Sequence, residues 1–514
     1  MRNLIPLTLC LSSLLVHAVP DLRRLEFLFY PQFKSQTIKG KVVQTWQCSA
    51  GDTFSLFLKE PLKYTSIQYP KSTVKMEILG NRRFFKVLIN ARFDITIKYG
   101  GKPQDAKNPP WDGGMVWRTD ATGKPWLGVS CQGQGSSLWW PAPNDYLDEA
   151  DSVTFTSVYP SSLFFKGNGK QMADKIKGKT RTTTWQTTLP INLYNITVNI
   201  ADYAHYSEVL ERPDGSKLAI DYYPLTYNLE NAQRQFKYTK PMLTCFEKAF
   251  GIYPCSNDGF SVVETAYAGM EHQGAIAYGN GYKDGYSGED YSMIGLPMDF
   301  ILVHESAHEW WGNSVSARNA RDFWLQEALC TYAEMFYVSC IFGEEKALDY
   351  IAAKQKMVLN QSSILSGGEG SESDMYTKGA LMFHTLSRFY SNTKVWDDLM
   401  YQLADEFRFK ELSTEELAAW FVKQTEGLST AFFYQYLDVA SPPILEYSRE
   451  QTDEGYWLKF RVKNALDQFV LPVRWTSGNE TWTTKCTGQW QRIKIGPGDF
   501  PEPDAKYSYF KLNR

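Results

Sequence analysis

Along the first part of the chain, apolar and polar residues alternate in short runs separated by Gly and Pro turns. Arg83-Phe84-Phe85-Lys86-Val87-Leu88-Ile89 and Phe93-Asp94-Ile95-Thr96-Ile97 are two such runs, and the stretch from Gly100 to Gly114 is a loop. Period-two patterning of this kind predicts β-strands, and an all-β domain is expected over residues 19–205. From 206 to 440 the period becomes helical. Asn228 to Gly251 forms one amphipathic stretch, bent or interrupted at Pro241. Tyr376 to Tyr390 and Val395 to Phe407 follow, and Ser413 with Glu416 is a capping box opening a further helix. From 441 to 514 the alternation returns in Tyr456-Trp457-Leu458-Lys459-Phe460-Arg461-Val462 and Phe469-Val470-Leu471-Pro472-Val473, a small β-sandwich. The fold class expected is therefore multidomain α+β.

The apolar run from Leu4 to Val16 follows Arg2 and ends in Val16-His17-Ala18. It has the form of a secretory signal over residues 1–18, cut after Ala18. Pro6, Ser12 and Ser13 interrupt it, and it is short for a membrane span. Apart from this signal, no segment is long and apolar enough to cross a bilayer. The expected location is secreted or periplasmic.

The chain has 514 residues with net charge −3, which gives a nucleic-acid partner no electrostatic support. Eight cysteines occur, one of them Cys10 in the signal. The remaining seven are scattered, with one or two bridges expected after export. Cys245 and Cys255 are close enough in sequence to pair, and the odd count leaves at least one thiol free. Asn195-Ile196-Thr197, Asn360-Gln361-Ser362 and Asn479-Glu480-Thr481 are glycosylation sequons that matter only in a eukaryotic host.

The chemistry concentrates in His304-Glu305-Ser306-Ala307-His308. Histidines four apart share a helix face, so both imidazoles reach one ion, and Glu305 between them can act on a water. The competing structural reading is an amphipathic helix with two polar residues. Pro297 to Val303 and Glu309-Trp310-Trp311-Gly312 argue against it, because these flanks make a buried helix ending at Gly312. Buried imidazoles need partners, and a metal supplies them. Glu327 sits in a second apolar helix, Asp322 to Tyr332, with Asp322 as its cap. Flanked by Leu325, Ala328 and Leu329, it is the natural third ligand. Two His and one Glu with an open fourth position form a catalytic zinc set.

These residues resemble the gluzincin aminopeptidases of the aminopeptidase N family. Ala268-Gly269-Met270-Glu271-His272 resembles that family's Gly-Ala-Met-Glu-Asn exopeptidase motif, and Tyr376-Thr377-Lys378-Gly379-Ala380 its catalytic tyrosine segment. Trp139-Trp140-Pro141 with Asp148-Glu149-Ala150-Asp151 resembles its N-terminal Pro…Asp-Glu-Pro-Asp stretch. The resemblance implies a thermolysin-like catalytic domain over 206–440, with one zinc ion on His304, His308 and Glu327. It implies Glu305 as the base, Tyr376 as oxyanion donor, and Gly269, Met270, Glu271 and His272 as substrate-binding residues. Glu271 would hold the free α-ammonium of a peptide. His272 departs from the family's Asn, and Gly269 with Ala268 inverts its small pair. The sequence continues into no counterpart of the large helical domain of many members, so a more open cleft, or one covered by a partner subunit, is expected. The function expected is zinc aminopeptidase. The alternatives are an endopeptidase or non-peptide hydrolase of the same fold, or a non-catalytic secreted binding protein.

Overall fold

The computed structural model describes residues 20–131, 133–143, 148–498 and 500–513. The signal at 1–18 lies outside the described residues.

An N-terminal β domain opens the chain. Its largest sheet has seven strands, with Asp21–Gln32 at the centre, antiparallel to Thr37–Cys48 and parallel to Ser152–Pro160. Strand Ser152–Pro160 alternates strictly between buried and half-exposed positions, which is the period read from the sequence. Its inward residues pack with Phe27, Phe29, Trp139 and Trp140 in an aromatic core.

A second sheet carries the chain into the helical region. Its spatial order is Tyr206–Glu211, Lys217–Tyr223, Phe260–Glu264, Ile276–Tyr278, Gly269–Met270. The sheet is covered on both faces. Val263 and Ala277 face the N-terminal core, while Val262, Ile276 and Tyr278 face the helices. Its inner strands Phe260–Glu264 and Ile276–Tyr278 are consequently buried at every position, while Tyr206–Glu211 and Lys217–Tyr223 alternate.

Nine α-helices follow among the described residues: α1 (Leu229–Gln235), α2 (Thr239–Phe250), α3 (Phe300–Ala307), α4 (Trp324–Phe342), α5 (Glu344–Gln355), α6 (Ser371–Ser387), α7 (Thr393–Glu406), α8 (Thr414–Gln424) and α9 (Ala431–Leu437). Ser413 and Glu416 make the capping box of α8 as expected. Three local expectations are corrected. The amphipathic stretch from 228 breaks at the 3-10 turn Phe236–Tyr238, and Pro241 lies in the first turn of α2. Proline is tolerated there because that N–H has no intrahelical acceptor. Helix α3 ends at Ala307 rather than Gly312, so His308 is its C-cap residue. Asp322 does not cap α4; its carboxylate accepts from the Thr414 N–H at 2.9 Å and hydroxyl at 2.7 Å, tying the start of α4 to α8.

The C-terminal strands form two sheets that pack through Tyr447, Phe460 and Trp475, a small sandwich. Cys245 bridges to Cys340, joining α2 to α4, so the Cys245–Cys255 pairing is not the one formed. Cys255 is a free, buried thiol. Asn195 of the first sequon is fully buried, and its amide donates to Asn313 Oδ1 at 2.5 Å. Asn479 sits exposed in a hairpin turn. No helix of the described residues is long and apolar enough to cross a membrane.

Candidate active site

Helix α3 begins at Asp299, whose carboxylate accepts from the Leu302 N–H at 3.1 Å. The same carboxylate accepts from the Tyr278 hydroxyl at 2.6 Å, Gln235 at 2.9 Å and Asn280 at 2.8 Å. The cap therefore also fixes the helix against α1 and the central sheet. Every residue of α3 is buried.

His304 and His308 leave this helix toward α4. Their Nε2 atoms lie 3.3 and 3.5 Å from Glu327 Oε2. Their other nitrogens are occupied: His304 Nδ1 is 2.8 Å from Glu334 Oε1, and His308 Nδ1 is 3.0 Å from the Trp311 carbonyl. An N–H on Nδ1 leaves a lone pair on Nε2. Two lone pairs and a carboxylate oxygen, all within 4.8 Å of one another and all buried, converge on one point. Three acceptors facing one another fit a cation, and this donor set with oriented imidazoles fits zinc. With no cation present, burial opposes charge on His304, but hydrogen bonds to Glu327 and Glu334 outweigh it and push its pKa up to about 9.

Glu305, the residue after His304, is nine-tenths buried. Burial raises its carboxyl pKa, against the pull of the two imidazoles. Strand Gly269–Met270 passes directly over it. A Cβ on Gly269 would lie 2.5 Å from Glu305 Oε1 and 2.9 Å from Ile301 Cγ2, so a side chain there would have to push the Glu305 carboxylate aside.

Glu271 follows this edge strand and is buried, with a potential ligand oxygen within 4.8 Å of those of Glu305 and His308. Its Oε1 accepts from the Tyr194 hydroxyl at 3.0 Å, and its main-chain carbonyl accepts from Asn313 at 3.0 Å. Met270 is buried in the N-terminal core. His272 has no exposed surface, and neither ring nitrogen has a hydrogen-bond partner among the described residues. Burial pulls its pKa down to about 3, so the ring is neutral. It lacks both the exposed edge of a substrate contact and the paired nitrogens of an ordinary core histidine.

Tyr376 lies in the second turn of α6, its ring 5.8 Å from that of His304, and its hydroxyl is hydrogen-bonded to Glu327. Burial, with Glu327, Glu271 and Glu305 nearby, raises its pKa well above the usual tyrosine value, keeping the O–H as a donor. Gly379 makes this reach possible: a Cβ there would meet Ala328 Cβ at 2.6 Å, so α6 crosses α4 in direct contact. Lys378 faces away and donates to the carbonyls of Val439 and Ala440, both at 2.8 Å. Within the Tyr-Thr-Lys-Gly segment, one residue serves the site and two serve packing.

Residues 234–436 match the Peptidase family M1 domain. Endoplasmic reticulum aminopeptidase 1 of Mus musculus is 24% identical over 262 residues, covering 47% of this chain and 27% of that protein. Aminopeptidase B of Rattus norvegicus is 23% identical over 174 residues, covering 30% and 26%. The match thus spans about a quarter of these relatives' own length. An M1 zinc metallopeptidase from Deinococcus radiodurans superposes with a TM-score of 0.69 at 16% identity, over 83% of this chain and 95% of that one. At that identity the likeness concerns the fold: an N-terminal β domain beside a helical domain. Within the matched segment the sequence pointed to His304, Glu305, His308, Glu327 and Tyr376, and the structure brings them together. It did not point to Glu334, Trp311, Tyr194 or Gln326. Glu334 had a signal, since it follows Glu327 by seven residues and so shares its helix face.

Proposed function

We propose that this protein is a zinc aminopeptidase that removes N-terminal residues from peptides, exported by the segment at 1–18. One observation supports the exopeptidase reading most: the Glu271 carboxylate lies beside Glu305 and His308 in a buried site. A fixed anion one residue away from the cleaved bond would hold a free α-ammonium and set the register of hydrolysis.

His304, His308 and Glu327 would hold the zinc, which supplies Lewis-acid polarisation of a carbonyl and acidifies water. Glu305 takes a proton from the attacking water and passes it to the leaving amine. Tyr376 donates its O–H to the oxygen that gains charge, an effect worth on the order of 10²–10³ in rate. Glu334 and the Trp311 carbonyl hold the imidazole tautomers. Gly269 lets the substrate-edge strand approach the base. The Cys245–Cys340 bridge supports export, because stable disulfides belong to oxidising compartments.

The test compares aminoacyl amides with N-acetylated peptides. Free N-termini should be cut and blocked ones spared, Glu305→Gln should abolish turnover while retaining zinc, and Glu271→Ala should chiefly raise KM. Equal cleavage of blocked peptides would make the enzyme an endopeptidase. Bound zinc with no turnover on any peptide or amide would favour a binding protein.

A further inference from the structure

Glu271 is held from outside the matched segment 234–436. Tyr194 belongs to a short 3-10 turn, Leu193–Asn195, in the N-terminal β region. Its side chain is fully buried, and its hydroxyl donates to Glu271 Oε1 at 3.0 Å. The hydroxyl oxygen in turn accepts from Gln326 Nε2 at 3.1 Å, and Gln326 Oε1 accepts from the Ala317 N–H at 3.0 Å. These bonds all point one way, from the Ala317 amide through Gln326 and Tyr194 to Glu271. An amide N–H can only donate, so the Gln326 amide group is fixed in orientation. Its NH₂ then occupies the Tyr194 oxygen and directs the phenolic proton at the carboxylate.

The relay is anchored on both sides of Tyr194. Asn192 donates to the Gly312 carbonyl at 2.7 Å, and Asn195 donates to Asn313 Oδ1 at 2.5 Å. Gly312 admits the relay, because a Cβ there would lie 2.9 Å from Gln326 Nε2 in a left-handed backbone with φ +130°. Gln326 immediately precedes the ligand Glu327 on α4. The zinc helix, the exopeptidase glutamate and the N-terminal domain are thereby joined by one directed chain of hydrogen bonds.

We propose that Tyr194 and Gln326 are positioning residues for substrate recognition. Tyr194 fixes the Glu271 carboxylate in the orientation that receives a peptide α-ammonium, and Gln326 fixes Tyr194. The role extends the aminopeptidase reading above and rests on it. A hydrogen bond to a charged group contributes enough that its loss should be read as roughly a tenfold change in affinity.

Tyr194→Phe keeps the ring and removes only the hydroxyl. In the zinc-loaded enzyme, KM for free aminoacyl anilides should rise about tenfold with kcat within a factor of about two. In a Glu271→Ala background the same change should leave KM unaltered, because the group it positions is gone. A residue that merely stabilised the fold would lower the active fraction in both backgrounds and leave KM alone. Gln326→Met, checked for full zinc content, is the second probe and should raise KM in the same direction by a smaller factor. It carries the test alone if Tyr194→Phe does not fold. Unchanged KM in the folded variants, or equal KM shifts with and without Glu271, overturns the relay. Unchanged KM in Glu271→Ala itself would instead overturn the aminopeptidase reading, which separates the two failures.

Discussion

Glu334 has the clearest consequence at the level of a single residue. It holds the Nδ1 proton of His304 and also accepts from the Tyr350 hydroxyl, with the buried Lys354 ammonium 3.8 Å away. Glu334→Gln should weaken zinc binding about 10–100-fold, measured by chelator competition. Gly269→Ala should spare zinc but displace Glu305, lowering kcat on the order of 10²-fold. Zinc loss on that substitution, with kcat intact in the metal-loaded fraction, would contradict the geometry. Zinc must also compete with protons. The pKa of His304 is pushed to about 9 without metal and that of His308 is raised too, so apparent zinc affinity should rise with pH up to at least about 9. Titrations at several pH values decide this. The ligands themselves were legible because a helix repeats its face every three to four residues. Tyr194 was not, since it acts on Glu271 across 77 residues of sequence and no local period links them.

Among the elements, the crossing of α4 and α6 decides where Tyr376 stands. Gly379→Val should separate these helices, costing about 1–3 kcal/mol in denaturant melts and depressing turnover more than zinc content. The Cys245–Cys340 bridge closes a loop of 95 residues between α2 and α4. Its removal by Cys340→Ser should cost about 2–4 kcal/mol of stability. Strand and helix types were readable from period in most of the chain, and the Ser413–Glu416 box marked the start of α8, but Tyr206–Glu211 and Lys217–Tyr223 are strands at the head of the stretch read as helical. The end of α3 was not readable. His308 Nδ1 bonds the Trp311 carbonyl, which requires the chain to turn at 308, and an apolar run gives no sign of that tertiary demand. Pro241 misled for a related reason: the residue punctuates a helix, but whether it ends one or begins one depends on the turn before it.

For the molecule as a whole, the N-terminal domain helps build the site. Buried Lys166 shows how tightly its core is sealed: the ammonium donates to the Gly167 carbonyl at 2.6 Å and sits 3.9 Å over the Trp185 ring. Burial pulls its pKa down to about 7. The unfolded chain keeps that proton to about pH 10.4, so between these values the unfolded state binds more protons and folding stability rises with pH. The slope approaches about 1.4 kcal/mol per pH unit for this residue. Lys166→Met should lose that slope, seen by comparing urea melts of the two proteins at about pH 8 and about pH 9. Parallel pH profiles would mean the ammonium is hydrated after all.

Asn195 ties folding to the host that makes the protein. Its amide is sealed against Asn313, which lies 118 residues later in the chain. A ribosome releases Asn195 well before its partner exists, so in a glycosylating secretory pathway the oligosaccharyltransferase meets the sequon while it is still bare. A sugar attached then has no room in the finished domain seam. Correctly folded molecules should therefore carry glycan at the exposed Asn479 and none at Asn195, and glycopeptide mass spectrometry of the active fraction reads this directly. Material from a bacterial cytoplasm escapes that hazard but forgoes the oxidising conditions that close Cys245 to Cys340. Yield from either source becomes a race between covalent modification and the docking of two domains.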